Sequence, residues 1–211
     1  MEQALEDLVA NTALAEALME RIYEIHAGIV SRVLDAAGDL VDFIYVAEDL
    51  GAQESLLMSP TAFRRSVKPW LKWLKRMTGL VHRRGVYVFH HDDGAIRPVI
   101  PDLVDIGIDV LNPVQWRCRG MEREGLVRDF GRDLVFQGGN DNQFTLPPGT
   151  PADVRAQVRQ NIEVFRGTKG YVVCPCHNLQ ANTPTANIVA IYEAVAEFGG
   201  MTVAELEKGN A

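Results

Sequence analysis

Val86-Tyr87-Val88-Phe89-His90-His91-Asp92-Asp93-Gly94, residues 86–94, runs four apolar residues straight into a charged, polar end closed by glycine. An unbroken apolar run of this length reads as a short strand buried on both faces, as in a parallel sheet. Its polar end reads as the loop leaving the strand's carboxyl end. Working outward, the same order recurs. Leu40 to Ala47 runs into Glu48-Asp49-Leu50-Gly51, and Ile108-Asp109-Val110-Leu111 into Asn112-Pro113-Val114-Gln115. Leu134-Val135-Phe136 runs into Gln137-Gly138-Gly139-Asn140-Asp141, and Tyr171-Val172-Val173 into Cys174-Pro175-Cys176-His177-Asn178.

Helical patterns separate these runs. Leu14, Leu18, Ile22, Ile25, Ile29, Val33 and Leu34 recur at spacings of three, four and seven, which predicts a long amphipathic helix over 13–37. Ser59-Pro60 supplies an N-cap and first-turn proline for a helix to about Arg84, closed by Gly85. Further helices are predicted through Pro101–Val104 before Gly107, in a short stretch reaching Gly131, from Pro151 to about Arg166, and from Thr185 to Phe198. On the second of these helices Phe63, Val67, Trp70, Trp73 and Leu74 form a stripe that reads as core, opposite a solvated face of Lys68, Lys72, Lys75 and Arg76.

Strands that alternate with helices and end in polar residues form parallel βαβ units, because parallel neighbours need crossovers. No strand opens a helix through GxGxxG, which favours a barrel over a nucleotide-binding doubly wound sheet. The predicted fold is α/β, of the (β/α)8 TIM-barrel type. A closed barrel takes about 250 residues, and five strand-helix units follow an unpaired helix here. Residues 1–211 are therefore expected to be one domain carrying strands four to eight.

Composition narrows the partners. The 211 residues are 47% hydrophobic and 23% charged, with a net charge of −7. Basic pairs such as Arg64-Arg65 sit on helical patterns, so nucleic acid is not an expected partner. No apolar run reaches the roughly 18 residues of a membrane span, and MEQALEDLVA lacks the order of a signal peptide. A cytoplasmic protein is expected, and the three cysteines fit a reducing compartment. Cys174 reads as a core residue continuing its strand; Cys176 stands one residue from the loop.

In such folds catalytic groups project from the carboxyl ends of the strands. Glu48, Asp49 and Asp141 are the candidate catalytic carboxylates, and Asn112, Gln115, Asn140 and Asn178 the candidate substrate-binding amides. Any one of them has the plainer reading of a solvated loop residue; five polar ends together carry the argument. The sharpest set is His91-x-Asp93 with His177. Residues two apart at a strand end can face one centre, and the last strand would bring a third ligand, as in a catalytic zinc site with an open position. The bland alternatives for these three are substrate hydrogen bonding or a structural role.

These strand ends resemble the uroporphyrinogen decarboxylase superfamily from about Asp42 to Phe198. The likeness rests on Glu48-Asp49 followed by Ser59-Pro60 and KPWL at 68–71, FHHDDG at 89–94 and QGGND at 137–141. HNLQANTPTANI at 177–188 and YEA at 192–194 complete it. The resemblance implies two chemistries. Methyltransferases of the superfamily use zinc held by His-x-Cys-Gly and a later Cys, positions that fall on His91, Asp93 and His177; only the first ligand type matches. The decarboxylases use neither metal nor organic cofactor and place a Gly-His-Gly at 176–178, where Cys176 and Asn178 differ. Their arginine-bearing segment and first-strand aspartate have no match in residues 1–40.

Since His91 is a residue type the decarboxylases lack there, the resemblance favours metal-assisted methyl transfer in a corrinoid- or folate-linked system. Zinc would be the cofactor, and a small-molecule methyl donor and a corrinoid protein the partners. Cofactor-independent decarboxylation of a tetrapyrrole is the alternative. A third is a truncated, inactive or partner-dependent barrel whose open edges a homodimer would cover.

Overall fold

The structure, a computed structural model, describes residues 2–200. Helices α1 (Glu2–Ala10) and α2 (Thr12–Ala37) precede strand β1 (Phe43–Ala47). Helix α3 (Pro60–Ala62), a π-helical turn (Phe63–Val67) and α4 (Lys68–His82) lead to β2 (Tyr87–His91). Then come α5 (Ile100–Ile106), β3 (Val110–Val114), α6 (Arg123–Phe130) and β4 (Val135–Asn140). The last elements are α7 (Pro151–Phe165), β5 (Gly170–Pro175) and α8 (Thr185–Phe198).

The strands are ordered β1-β2-β3-β4-β5, the order of the chain. β1 runs parallel to β2, with Phe43 opposite Tyr87 and Ala47 opposite His91. β4 runs parallel to β5, with Val135 opposite Gly170 and Asn140 opposite Pro175. These are five strand-helix units of the (β/α)8-barrel type, as the sequence predicts. The chain divides into two compact units, Met1–Val110 and Leu111–Ala211.

In the first unit Val81, Val88, Ile100 and Leu103 are fully buried. Phe89 stacks on Phe43 and Tyr45, with centroids 5.1 and 5.5 Å apart. Asp109 joins the start of β2, accepting from the Val88 amide at 2.8 Å while its own amide donates to the Val88 carbonyl at 3.0 Å. Ser59 caps α3, its hydroxyl accepting from the Ala62 amide, with Pro60 in the first turn. The helix expected to about Arg84 ends at His82 and includes a π-helical turn at Phe63–Val67. Phe63, Trp73 and Leu74 are buried as the stripe requires; the side chains of Val67 and Trp70 lie outside the described set.

Helix α2 forms where the periodicity places it, but its apolar face is not core. Leu14, Leu18, Ile22, Ile25, Ile29 and Val33 are exposed, and Leu34 is the buried one. Periodicity fixes a helix and its apolar side without showing what covers that side.

In the second unit Leu146, Val154, Val158, Ala190, Ile191 and Ala194 form a core between α7 and α8. Phe165 packs between Phe136 and Tyr171, with centroids 5.2 and 4.4 Å away. Thr150 and Asp153 form a reciprocal capping box at the start of α7. The cysteines reverse the sequence expectation: Cys174 is half-buried, whereas Cys176 is buried with its thiol 3.2 Å from the Val114 carbonyl. The backbone ladder continues past Pro175, from the Cys176 amide to the Asn140 carbonyl at 2.8 Å. Cys176 therefore still behaves as a strand residue. Among the described residues no helix is long and apolar enough to cross a membrane.

Candidate functional site

The β1–β2 ladder also continues past the strands: the Glu48 amide donates to the His91 carbonyl at 2.9 Å. The two outgoing loops then lie backbone to backbone. A Cβ on Gly51 would stand 2.7 Å from the Asp93 carbonyl oxygen, and one on Gly94, at φ +94°, 2.5 Å from the Gly51 carbonyl carbon. Only glycine permits this approach. It sets Asp49 beside Asp93, whose amide donates to Asp49 Oδ1 at 3.4 Å.

His91 Nε2 lies 3.9 Å from Asp49 Oδ1 and 3.8 Å from Asp93 Oδ2. One donor atom from each of the three residues falls within 4.8 Å of the other two. These separations are too long for direct hydrogen bonds. They suit a cation among the three, because metal to nitrogen or oxygen bonds of about 2.0–2.2 Å hold their donors a few ångströms apart. The donor set of one imidazole and two carboxylates thus fits a divalent metal. His91 and Asp93 meet as their spacing predicts, and the residue that joins them is Asp49, read from sequence as a catalytic carboxylate.

On the other side of β2, His90 is fully buried between two acids. Its Nδ1 lies 3.2 Å from Glu48 Oε2 and its Nε2 3.7 Å from Asp92 Oδ2. None of these four atoms has an aligned hydrogen-bond partner. The other Asp92 oxygen accepts from the Leu50 amide at 2.8 Å. Burial, reinforced by Asp92 and Asp49, pushes the Glu48 carboxyl up to about 8, so it carries a proton at neutral pH. Burial also raises Asp92, against the opposing pull of His90 and the Leu50 amide. Burial raises the Tyr45 phenol too, with help from Asp49, Asp93 and Glu48. Glu48 further lines a largely apolar cleft of about 520 Å³ bounded by Tyr23, Ile29, Tyr45, Trp73 and Met77. That volume is in the range of small-molecule sites.

The strand ends of the second unit are bonded differently. Buried Asp141 accepts from Arg117 Nε, the Gln143 amide (2.8 Å) and the Phe144 amide (3.2 Å), while its own amide donates to Gln157. Its carboxylate is occupied in holding the loop. Asn140 Oδ1 accepts from Asn161 at 3.0 Å. Asn112 donates to Gln137 at 2.8 Å, and Gln115 turns the chain, its carbonyl accepting from the Cys118 amide. His177 and Asn178 are exposed, with their backbone groups tied to the Asn142 side chain.

Sequence reasoning passed over His90 and Asp92. The signal was present: side chains alternate along a strand, so His90 and His91 face opposite sides and both could not serve one site. It also passed over Trp116, Arg117, Arg123 and Asn161, which come from three separate elements and share no motif.

Comparison with known proteins identifies the family and the fold. The sequence profile described as uroporphyrinogen decarboxylase (URO-D) matches residues 1–198. A uroporphyrinogen decarboxylase of Anaeromyxobacter dehalogenans (strain 2CP-C) is 29% identical over 127 residues, which are 60% of this chain and 34% of that protein. A methyltransferase from Methanosarcina mazei superposes with a TM-score of 0.68 at 20% identity, over 94% of this chain and 53% of that one. The likeness to the methyltransferase is one of fold. The chain thus spans about a third of one relative and half of the other, and by its match over nearly all its length it belongs to the uroporphyrinogen decarboxylase family.

Proposed function

We propose that this chain carries the metal-holding part of a methyl-transferring enzyme in a corrinoid-linked system, with Asp49, His91 and Asp93 as protein ligands and zinc as the first choice of metal. The observation that carries the reading is the convergence of those three donors within 4.8 Å at the ends of β1 and β2. A bound divalent metal supplies Lewis-acid polarisation and lowers the pKa of a coordinated thiol. Two oxygens and one nitrogen make a harder site than a thiolate set, so zinc affinity is expected to be lower. The chain's own residues do the rest. The Gly51–Gly94 contact holds the ligand loops, protonated Glu48 can give a proton to a group in the adjoining cleft, and Tyr45 and Trp73 supply apolar lining to that cleft.

The test is metal analysis of protein purified without chelator, with methyl transfer between methylcobalamin and a thiol followed by absorbance. About one zinc per chain is expected in the wild type. His91→Ala and Asp93→Ala should each weaken binding by roughly a hundredfold, the scale of losing one of three ligands. His177→Ala measures whether that residue also contributes, as the sequence pattern suggests.

The buried Glu48–His90–Asp92 cluster favours a second reading, metal-independent decarboxylation of a tetrapyrrole, since a carboxyl kept neutral at pH 7 is a competent proton donor. A metal-free protein that converts uroporphyrinogen to coproporphyrinogen would decide for this reading and against the first.

A further inference from the structure

The loop after β3 and the first turn of α6 bring two guanidinium groups to one indole. Trp116 is pinned by its Nε1, which donates to the Gly139 carbonyl at 2.9 Å. The guanidinium carbons of Arg117 and Arg123 lie 4.6 and 4.4 Å from its ring centroid. Arg117 is also 5.0 Å from the ring of Phe144, which is 65% exposed. The two cations are not equally compensated. Arg117 is paired with Asp141. Arg123 is 9% exposed, and its one hydrogen bond goes from Nη1 to a neutral acceptor, Asn161 Oδ1. Its Nε is buried without a hydrogen-bond partner, as is Nδ2 of Asn140, the next residue along that chain of amides.

A buried charge without a counter-ion is strongly destabilising. Lysine could escape by losing its proton; arginine cannot. Glu124, the next residue, favours the charged form through space, and the aromatic faces offset only part of the desolvation, so the charge is open to an anionic ligand. We propose that Arg117, Trp116 and Arg123 form a binding site for a small organic monoanion, held by its carboxylate with its body against Trp116 and Phe144. Asp141 pairs with Arg117 and Glu124 acts on Arg123, so the two guanidiniums are already partly offset and suit a singly charged ligand better than a phosphate dianion. The guanidinium fork matches a planar carboxylate in two parallel hydrogen bonds. Arg117 and Phe144 are solvent-exposed, so the site has an approach from solution. The proposal is independent of any metal at Asp49, His91 and Asp93, because its readout is anion binding.

The experiment is calorimetric titration of the full chain, pretreated with chelator, with benzoate, the neutral isostere benzamide and inorganic phosphate. Thermal melts run in parallel. Benzoate should bind saturably and raise Tm, benzamide should do neither, and phosphate should bind more weakly than benzoate. Arg123→Met removes the buried charge but also the donor to buried Asn161, so only a modest change in Tm is expected, and it should lose benzoate binding by at least about tenfold. Arg123→Lys keeps the charge without the fork and should lose a smaller part, which tests the site even if the methionine variant fails to fold. Benzoate binding equal in wild type and Arg123→Lys, no saturable binding by the wild type, or a preference for phosphate would each overturn the assignment.

Discussion

The ends of β1 and β2 and the ends of β4 and β5 are both dense in polar residues, yet they are built in opposite ways. In the first, carboxylates and imidazoles converge at wide or misaligned spacings. His91 stands nearly 4 Å from two acids, and His90, Glu48 and Asp92 keep unpaired buried atoms. What fixes them is backbone, through the Gly51–Gly94 contact and the extended ladder. In the second, side chains fix one another. Asp141 takes a guanidinium and two amides, and Asn161 joins Arg123 to Asn140. Position at a strand end is thus common to both. What separates them is the means of support, backbone contact at the first and side-chain bonds at the second; buried atoms without a hydrogen-bond partner occur in both, at His90 and Glu48 and at Arg123 and Asn140.

The contrast can be broken most directly at the glycines. Gly94→Ala forces an L-residue to φ +94° with its Cβ 2.5 Å from another backbone atom, and neither strand end can retreat without opening the ladder. A loss of more than about 3 kcal/mol in urea unfolding is expected, with loss of metal binding. A variant of near-native stability would show that the first cluster is not held by backbone fit. Next in size is Asp141→Ala, which strips partners from Arg117 and the Gln143 and Phe144 amides. It should cost about 2–4 kcal/mol. A loss below about 1 kcal/mol would remove Asp141 from the scaffold and return it to the catalytic candidates.

The third test uses pH. Glu48 has an unfolded value near 4.5 and is pushed up to about 8 in the fold. Its neutral form is thus favoured by folding, and that contribution is fully present below 4.5 and lost as pH rises through 8. Asp92 is shifted in the same direction. With metal removed by chelator, stability should fall by on the order of a few kcal/mol between pH 5 and 8.5, and Glu48→Gln should flatten most of that slope. Stability rising with pH across this window would contradict the buried, neutral carboxyl.

Much of this was legible beforehand, and the illegible part has a physical cause. Each strand was readable from its apolar run, although β1 and β5 leave Phe43, Tyr45 and Val172 exposed, and Ser59, Gly107 and Thr185 marked helix ends that the structure keeps. The π turn at Phe63–Val67 was not, since nothing in FRRSV breaks helical periodicity. The pair His91-x-Asp93 was readable from spacing alone. Asp49 as its companion depends on strand register, which sets Ala47 opposite His91 and is a property of pairing and not of either segment. The Arg123–Asn161–Asn140 chain joins residues 17 to 38 positions apart in sequence and left no local trace.

The smallest expected change in stability is the most informative about that register. Asp49 is 68% exposed at its side chain and accepts one long hydrogen bond, from the Asp93 amide at 3.4 Å. Asp49→Ala should therefore shift stability by no more than about 0.5 kcal/mol, as for surface positions outside special features. If Asp49 is a ligand, the same substitution should weaken zinc binding by roughly ten- to a hundredfold, because a three-donor set loses one of its two charges. Few scaffold residues separate the two readouts in this way: a side chain that matters for folding moves both, and a plain solvated loop residue moves neither. The measurement is zinc competition against a chromophoric chelator beside chemical denaturation of the same samples. Affinity that ignores Asp49→Ala but falls with His177→Ala would take the third ligand away from the end of β1, and with it the reason for reading the Gly51–Gly94 contact as part of the site.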